Sequence, residues 1–193
     1  MIKVSLKNQK LGKIASFSVP AELTCPGVSE WCLQHCYAST KRMARFTNVI
    51  NSYNANYAES QDSNFVDAMI DKVQGLSSFR MHVAGDFYSA EYIQKWVQIV
   101  QASPGTKFWA YTRSWTQPDL LPALETLRAL PNMQLFASWD NTMAEPPATW
   151  RIATIGGAFK AYDCPEQTGR KANCADCGYC FRGVKNNVRF STH

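Results

Sequence analysis

Seven cysteines fall into two groups, Cys25-x6-Cys32-x3-Cys36 followed at once by Tyr37, and Cys164-x9-Cys174-x2-Cys177-x2-Cys180. An odd total with two-residue gaps argues against a disulfide framework, because neighbours that close rarely reach disulfide geometry without strain. In a reducing compartment such groups are metal or cluster ligands. Three thiolates on one loop can hold a [4Fe–4S] cluster by three irons and leave the fourth open to a ligand. The second group has four thiols and can close a site alone. Its Cys-x2-Cys-x2-Cys run fits an iron–sulfur cluster, zinc is the alternative, and one of its cysteines could instead complete the first site. A zinc ion at the first group could take His35 as fourth ligand, against a supporting or surface role for that residue.

These thiols need a scaffold, and 193 residues suit one domain over 1–163 with a cysteine-rich C-terminal lobe over 164–193. The formal charge of +5 is uneven. Residues 1–47 carry seven Lys/Arg against two acids, 160–193 carry six against three, and the middle carries seven against ten. Both cysteine groups therefore sit in basic surroundings, which suits an anionic ligand, nucleic acid or a solvated face. No apolar run of signal-peptide or membrane-spanning length occurs, so the expectation is a cytoplasmic protein with no membrane partner.

A short strand is expected over 12–19, and the first cysteine group on the loop after it. An apolar stripe at Met43, Phe46, Ile50, Tyr53 and Tyr57 predicts a helix over 39–57, and Val66, Met69, Ile70 and Val73 predict one over 63–73. Strands over 79–84, 107–112, 133–138, 151–155 and 158–162 alternate with helices. One of these is capped by Ser89 and one is opened by Pro118. That rhythm predicts parallel βαβ units in an α/β fold, a short or incomplete (β/α) barrel, with chemistry at the carboxyl ends of the strands.

On that rim fall Gly85-Asp86, Thr112-Arg113-Ser114, Ser138-Trp139-Asp140 and Gly156-Gly157. Asp86 is the candidate acid, with turn formation as its plainer role. His82 is either catalytic or a core histidine. Arg113 could hold a carboxylate or phosphate through its fork, or form a structural ion pair. The aromatics Trp109, Tyr111, Trp115 and Trp139 could stack on a base, but core packing is the plainer expectation. The familiar hydrolase motifs are absent.

The order strand, cysteine loop, helix, strand, small-residue turn with an acid resembles the radical S-adenosylmethionine enzymes. The match is Cys25, Cys32, Cys36 with Tyr37, then Ala84-Gly85-Asp86; the cysteine spacing is x6/x3 where that family usually has x3/x2, and the turn has Ala for Gly and Asp for Glu. The resemblance implies an open cluster, S-adenosylmethionine held at the Gly85-Asp86 turn, a small-molecule substrate and an electron donor; the strand-end reading adds Thr112, Ser114, Ser138, Gly156 and Gly157 as cofactor-binding candidates. A resemblance over most of the chain is to the phage gene product 88 proteins, through Thr24-Cys25-Pro26, Cys36-Tyr37-Ala38, Arg80 to Phe87, Phe108 to Ser114 and the last three cysteines. It implies a phage or prophage origin. Two other functions stay open: a non-radical iron–sulfur enzyme with the open iron as Lewis acid (a hydrolase or desulfidase), and a metal-held nucleic-acid module using Lys41, Arg42, Arg45, Arg182, Lys185 and Arg189.

Overall fold

The alternation builds a single sheet of seven parallel strands in the computed structural model, which describes every residue except Lys7, Val184 and His193. The strands are β1 (Ala15–Phe17), β2 (Ser78–Met81), β3 (Lys107–Thr112), β4 (Met133–Trp139), β5 (Arg151–Ile155), β6 (Ala161–Asp163) and β7 (Asn187–Phe190). Their spatial order is β1-β2-β3-β4-β5-β7-β6, so β1 and β6 are edges and the sheet is open. The α/β class and parallel pairing are those the sequence predicts.

Helices α1 (Glu30–His35), α2 (Thr40–Met43), α3 (Thr47–Gln61), α4 (Phe65–Val73), α5 (Ala90–Ala102), α6 (Leu121–Arg128) and α7 (Cys174–Cys177) complete the fold. Side chains alternate along the strands, and one face carries the main core. Phe17, Phe79, Met81, Phe108, Leu135 and Ala137 pack there against Phe65 and Met69 of α4, Ile93 and Trp96 of α5, and Leu124 and Leu127 of α6. Phe17, Phe65 and Phe79 all pack around the Trp96 ring, with centroids 5.6–6.2 Å away. Each such fully buried side chain is worth about 1.5–3 kcal/mol.

The opposite face carries Arg80, Trp109, Tyr111, Phe136 and Val188, and among the described residues no long helix covers it. Strands β1 to β5 advance in one direction, and right-handed crossovers then keep their helices on one side. From β6 to β7 the chain steps backwards, which moves that crossover to the other side. The segment bearing the second cysteine group accordingly covers the helix-free face. Phe181 packs on Trp109 at 4.8 Å between ring centroids, and the Tyr111 hydroxyl meets Cys180 Sγ at 2.9 Å.

Several local expectations change. The helix expected over 39–57 is interrupted at Phe46, whose backbone leaves helical geometry (φ −111°, ψ 57°) and which is exposed, so core packing does not hold it in the helix. The cysteine loop contains α1, with Ser29 as its cap. Pro118 precedes its helix; α6 starts at Leu121 with Pro122 in the first turn, where a missing N–H costs nothing. Strand β6 starts at Ala161 rather than 158, and β7 was not expected. Because β7 pairs with both β5 and β6, residues 187–190 belong to the main sheet although they follow the second cysteine group. No helix is long and apolar enough to cross a membrane among the described residues.

Candidate thiol-lined site at the strand ends

The loops at the carboxyl ends of the first four strands are tied into a rim. Asp86, just after β2, accepts the Arg113 backbone N–H at 2.7 Å and that of Phe87 at 2.7 Å. Arg113, just after β3, pairs with Asp140, just after β4, at 2.5 Å. Asp140 takes the Ser29 hydroxyl at 2.5 Å, and Ser29 in turn accepts the Cys32 backbone N–H at 3.1 Å. The first cysteine loop is thus fastened to β3 and β4 through one serine. Gly27 permits that docking: a Cβ there would lie 2.1 Å from the Arg113 carbonyl oxygen.

Electrostatics on this rim are set by burial. It acts first to raise the Asp140 carboxyl, but hydrogen bonds from Ser29 and Thr142 and the Arg113 guanidinium outweigh it and hold the group below the usual carboxylate range. Burial pushes Asp86 up, against the Thr112 hydroxyl and the N–H groups that it accepts. Both Asp86 oxygens are engaged by protein donors, so its evident role is to join the β2 and β3 ends. Thr112 and Ser114 are fully buried beside it. Gly85 has φ +76°, and a Cβ on it would lie 2.5–2.6 Å from Val19 and Thr24, so this glycine lets the β2 turn meet the β1 loop.

The remaining expected residues scatter. His82 points into the helix layer, with Nε2 2.7 Å from the Tyr92 hydroxyl and its ring edge-on to Phe87 and Trp96. It also holds a left-handed backbone (φ 56°) at the end of β2. Ser138 lines the cavity described below, whereas Gly156 and Gly157 are exposed with open space around them. Among the rim aromatics, Trp115 and Trp139 are buried in the main core. Lys41, Arg42, Arg45, Arg182 and Lys185 are exposed, and Arg189 pairs with Asp163 at 3.2 Å.

What the fold does bring together is the two cysteine groups. A cavity of about 660 Å³ on the helix-free face is lined by Cys32 and Cys36 from one side and by Cys164, Cys174, Cys177 and Cys180 from the other. Trp31 and His35 stack at its mouth, 4.3 Å apart. Cys25 lies behind, close enough to Cys32, Cys36 and Asp86 for their charges to act on it. All seven cysteines are free.

Burial pushes the Cys25 and Cys174 thiols up to about 12 and Cys180 to about 11, the last against the pull of the Tyr111 hydroxyl and Arg80. Burial also raises Cys32, against the nearby Arg113. Left alone, these four groups would be neutral and inert near neutral pH. Soft thiols gathered in a desolvated wall that opens on a cavity could serve as donors to a metal group, whose own charge would stabilise ionised sulfurs. Among the described residues no three His, Cys, Asp or Glu side chains are gathered tightly enough to hold one metal ion. A cubane asks for less convergence, since each thiolate takes its own iron.

Three contributors escaped the sequence reading. Ser29 carries a legible signal, a serine directly before a short helix. Arg80 carries another: a charge in the middle of a parallel strand, where both faces are normally apolar. Gly27 carries none, because its constraint comes from a carbonyl 86 positions away in sequence.

Comparison with known proteins agrees with the pattern of motifs. The family model described as Gene product 88 matches residues 2–183. The Gene 88 protein of Mycobacterium phage L5 is 25% identical over 221 aligned positions, and that of Mycobacterium phage D29 is 26% identical over 222. Each alignment covers 96% of this chain and 90% of the relative. No solved structure matches. Since that model spans both cysteine groups and the whole rim between them, this chain belongs to the gene product 88 family.

Proposed function

We propose that the chain is an iron–sulfur enzyme in which Cys25, Cys32 and Cys36 hold an open [4Fe–4S] cluster and Cys164, Cys174, Cys177 and Cys180 hold a closed site. The observation that carries this reading is that two sequence-distant thiol groups line one cavity at the carboxyl ends of parallel strands. The fold is read as a short (β/α) barrel left open, with residues 164–186 as a cysteine-rich lobe filling the side that a complete barrel would close. An open iron supplies either electron transfer to a bound S-adenosylmethionine or Lewis-acid polarisation of a substrate. Around it, Ser29, Asp140 and Arg113 orient the cysteine loop, Asp86 fixes the β3 end, and the aromatic wall excludes water. A reducing, cytoplasmic setting and a small-molecule substrate follow from this reading, with an electron donor if the chemistry is radical.

One observation favours the Lewis-acid form over the radical form. Asp86, which the resemblance assigns to the cofactor's amino group, already has both oxygens taken by backbone donors. The deciding measurements are iron and acid-labile sulfide in anaerobically purified protein, followed by reduction in the presence of S-adenosylmethionine. Iron with sulfide supports both forms, and release of 5′-deoxyadenosine selects the radical one. Colourless protein with stoichiometric zinc removes both and leaves the nucleic-acid module. The Cys32→Ala variant should lose activity and keep the second site loaded, while Cys177→Ala should mainly weaken the fold. Equal loss of all iron in both variants would mean one shared cluster.

A further inference from the structure

A guanidinium on a parallel strand, turned to the inside of a cavity, asks for a partner. The Arg80 guanidinium carbon lies over the Tyr111 ring, 4.1 Å from its centroid, and 5.8 Å from the centroid of Trp109. Its Nε donates to the Met81 carbonyl at 3.0 Å and its Nη2 to the His82 carbonyl at 3.1 Å. Those bonds fix the side chain in place, and among the described residues Nη1 has no hydrogen-bond partner. Among the described residues no carboxylate lies within ion-pair distance of Arg80.

The other cations on the same wall are compensated. Lys10 pairs with Glu166 at 3.1 Å, and Arg113 pairs with Asp140 at 2.5 Å. Among the described residues Arg80 is therefore the one Lys or Arg of this lining without a carboxylate partner, held in place by its carbonyl bonds, beside surfaces that include Trp31, Trp109, Tyr111 and Phe190. A neutral ligand would leave that charge unpaired, and a small inorganic anion would leave the aromatic wall uncovered. A volume of about 660 Å³ lies within the range of small-molecule sites, roughly 300–1,000 Å³.

We propose that this cavity binds a small organic anion with a flat body, its acid group paired with Arg80 and its body laid against the aromatic wall between the two thiol groups. The proposal names a ligand class and does not depend on which metal the cysteines hold. The same charge has one competing use, as counter-charge to the sulfurs of Cys174 and Cys180, which it faces.

Calorimetric titration of the purified protein, at its native metal content, with indole-3-acetate and with its uncharged amide tests the idea. The acid should bind at least about tenfold more tightly than the amide, the scale of one charge-assisted pair. Inorganic phosphate should compete with the acid and leave the amide untouched, a result that needs no variant. Arg80→Gln should erase the preference for the acid while amide binding persists, and Arg80→Lys should retain part of it. Equal affinity for acid and amide, no binding of either, or an unchanged preference in Arg80→Gln overturns the proposal. Iron and sulfide measured on the same samples keep the two readings apart. Acid preference in protein without iron sinks the cluster and leaves the anion site, and loss of iron in Arg80→Gln from a protein that never preferred the acid makes Arg80 a counter-charge only.

Discussion

The two cysteine groups face one cavity but are held there by different forces. Around the first group the packing is thinner: α1 has no buried residue, Cys25 and Cys36 rest on a small cluster of Ala21, Ala38 and Ala84, and the tie to the strand ends runs through the Ser29 hydroxyl, the Arg113–Asp140 pair, the Tyr37 hydroxyl on the Val83 carbonyl and the close approach at Gly27. Around the second group the bedding is apolar. Cys164 is buried among Phe136, Ala153 and Val188, and Cys174 and Cys180 pack with Leu11, Ile14 and Trp109. Directional polar ties fix a geometry yet fail when one atom is removed, whereas apolar packing spreads its energy over many contacts. The first group is thus mounted for precise placement beside the cavity, and the second is embedded as part of its wall.

The largest effect should come from Asp140→Ala. It strands a guanidinium that is only 10% exposed, so stability should fall by about 3–5 kcal/mol in chemical denaturation. Under the proposed function, metal at the first group should be lost before metal at the second. Simultaneous loss from both would erase the contrast.

A second test gives the background against which both groups are read. Burial, and then the charge of Arg80, hold His82 down to about 3, against 6.5 for the free side chain. Between those values the unfolded chain binds a proton that the folded chain does not, so stability is full above pH 6.5 and is lost as pH falls toward 3. The slope is about 1.4 kcal/mol per pH unit, or about 2 kcal/mol by pH 5. His82→Asn, which tolerates the left-handed backbone, should lack this component when the two stability–pH curves are compared. Parallel curves would place the histidine in contact with water.

Ser29→Ala should cost about 1 kcal/mol as a lost helix cap, and should speed removal of first-group metal by a chelator without changing the second. Tyr111→Phe should be the mildest, about 0.5–1 kcal/mol for one hydrogen bond to Cys180, with the first group unaffected. If Tyr111→Phe proved more damaging to metal retention than Ser29→Ala, the assignment of polar mounting to one group and apolar bedding to the other would be reversed.

Much of the scaffold is legible before folding because its signals are local. Ser89 caps α5 as its position suggests, and the run from Lys107 to Thr112 is β3. The cysteines announce themselves by spacing. What is hidden depends on long-range pairing. Asn187-Val188-Arg189-Phe190 has only two apolar residues, one of which is fully buried, so nothing local marks it as a strand between two others. The meeting of the two cysteine groups follows from that placement, since it turns the β6–β7 crossover onto the open face. Phe46 shows the opposite error, a residue in perfect helical register that tertiary packing leaves outside.

The position of β7 also sets an order of events in time. Among the described residues edge strand β6 pairs with β7 alone, yet β7 is synthesised last of the seven strands. Cys36 precedes Cys174 by 138 positions, a lag of roughly 7–28 s at typical synthesis rates of about 5–20 residues per second. For that interval the N-terminal thiols exist without the wall that later faces them. Closure then waits on a non-local pairing, the slow kind, because the intervening chain must be gathered before any contact rewards it. By order of synthesis the cavity is completed late, and the Cys32 and Cys36 sulfurs have no facing thiol wall until the second cysteine group has been made.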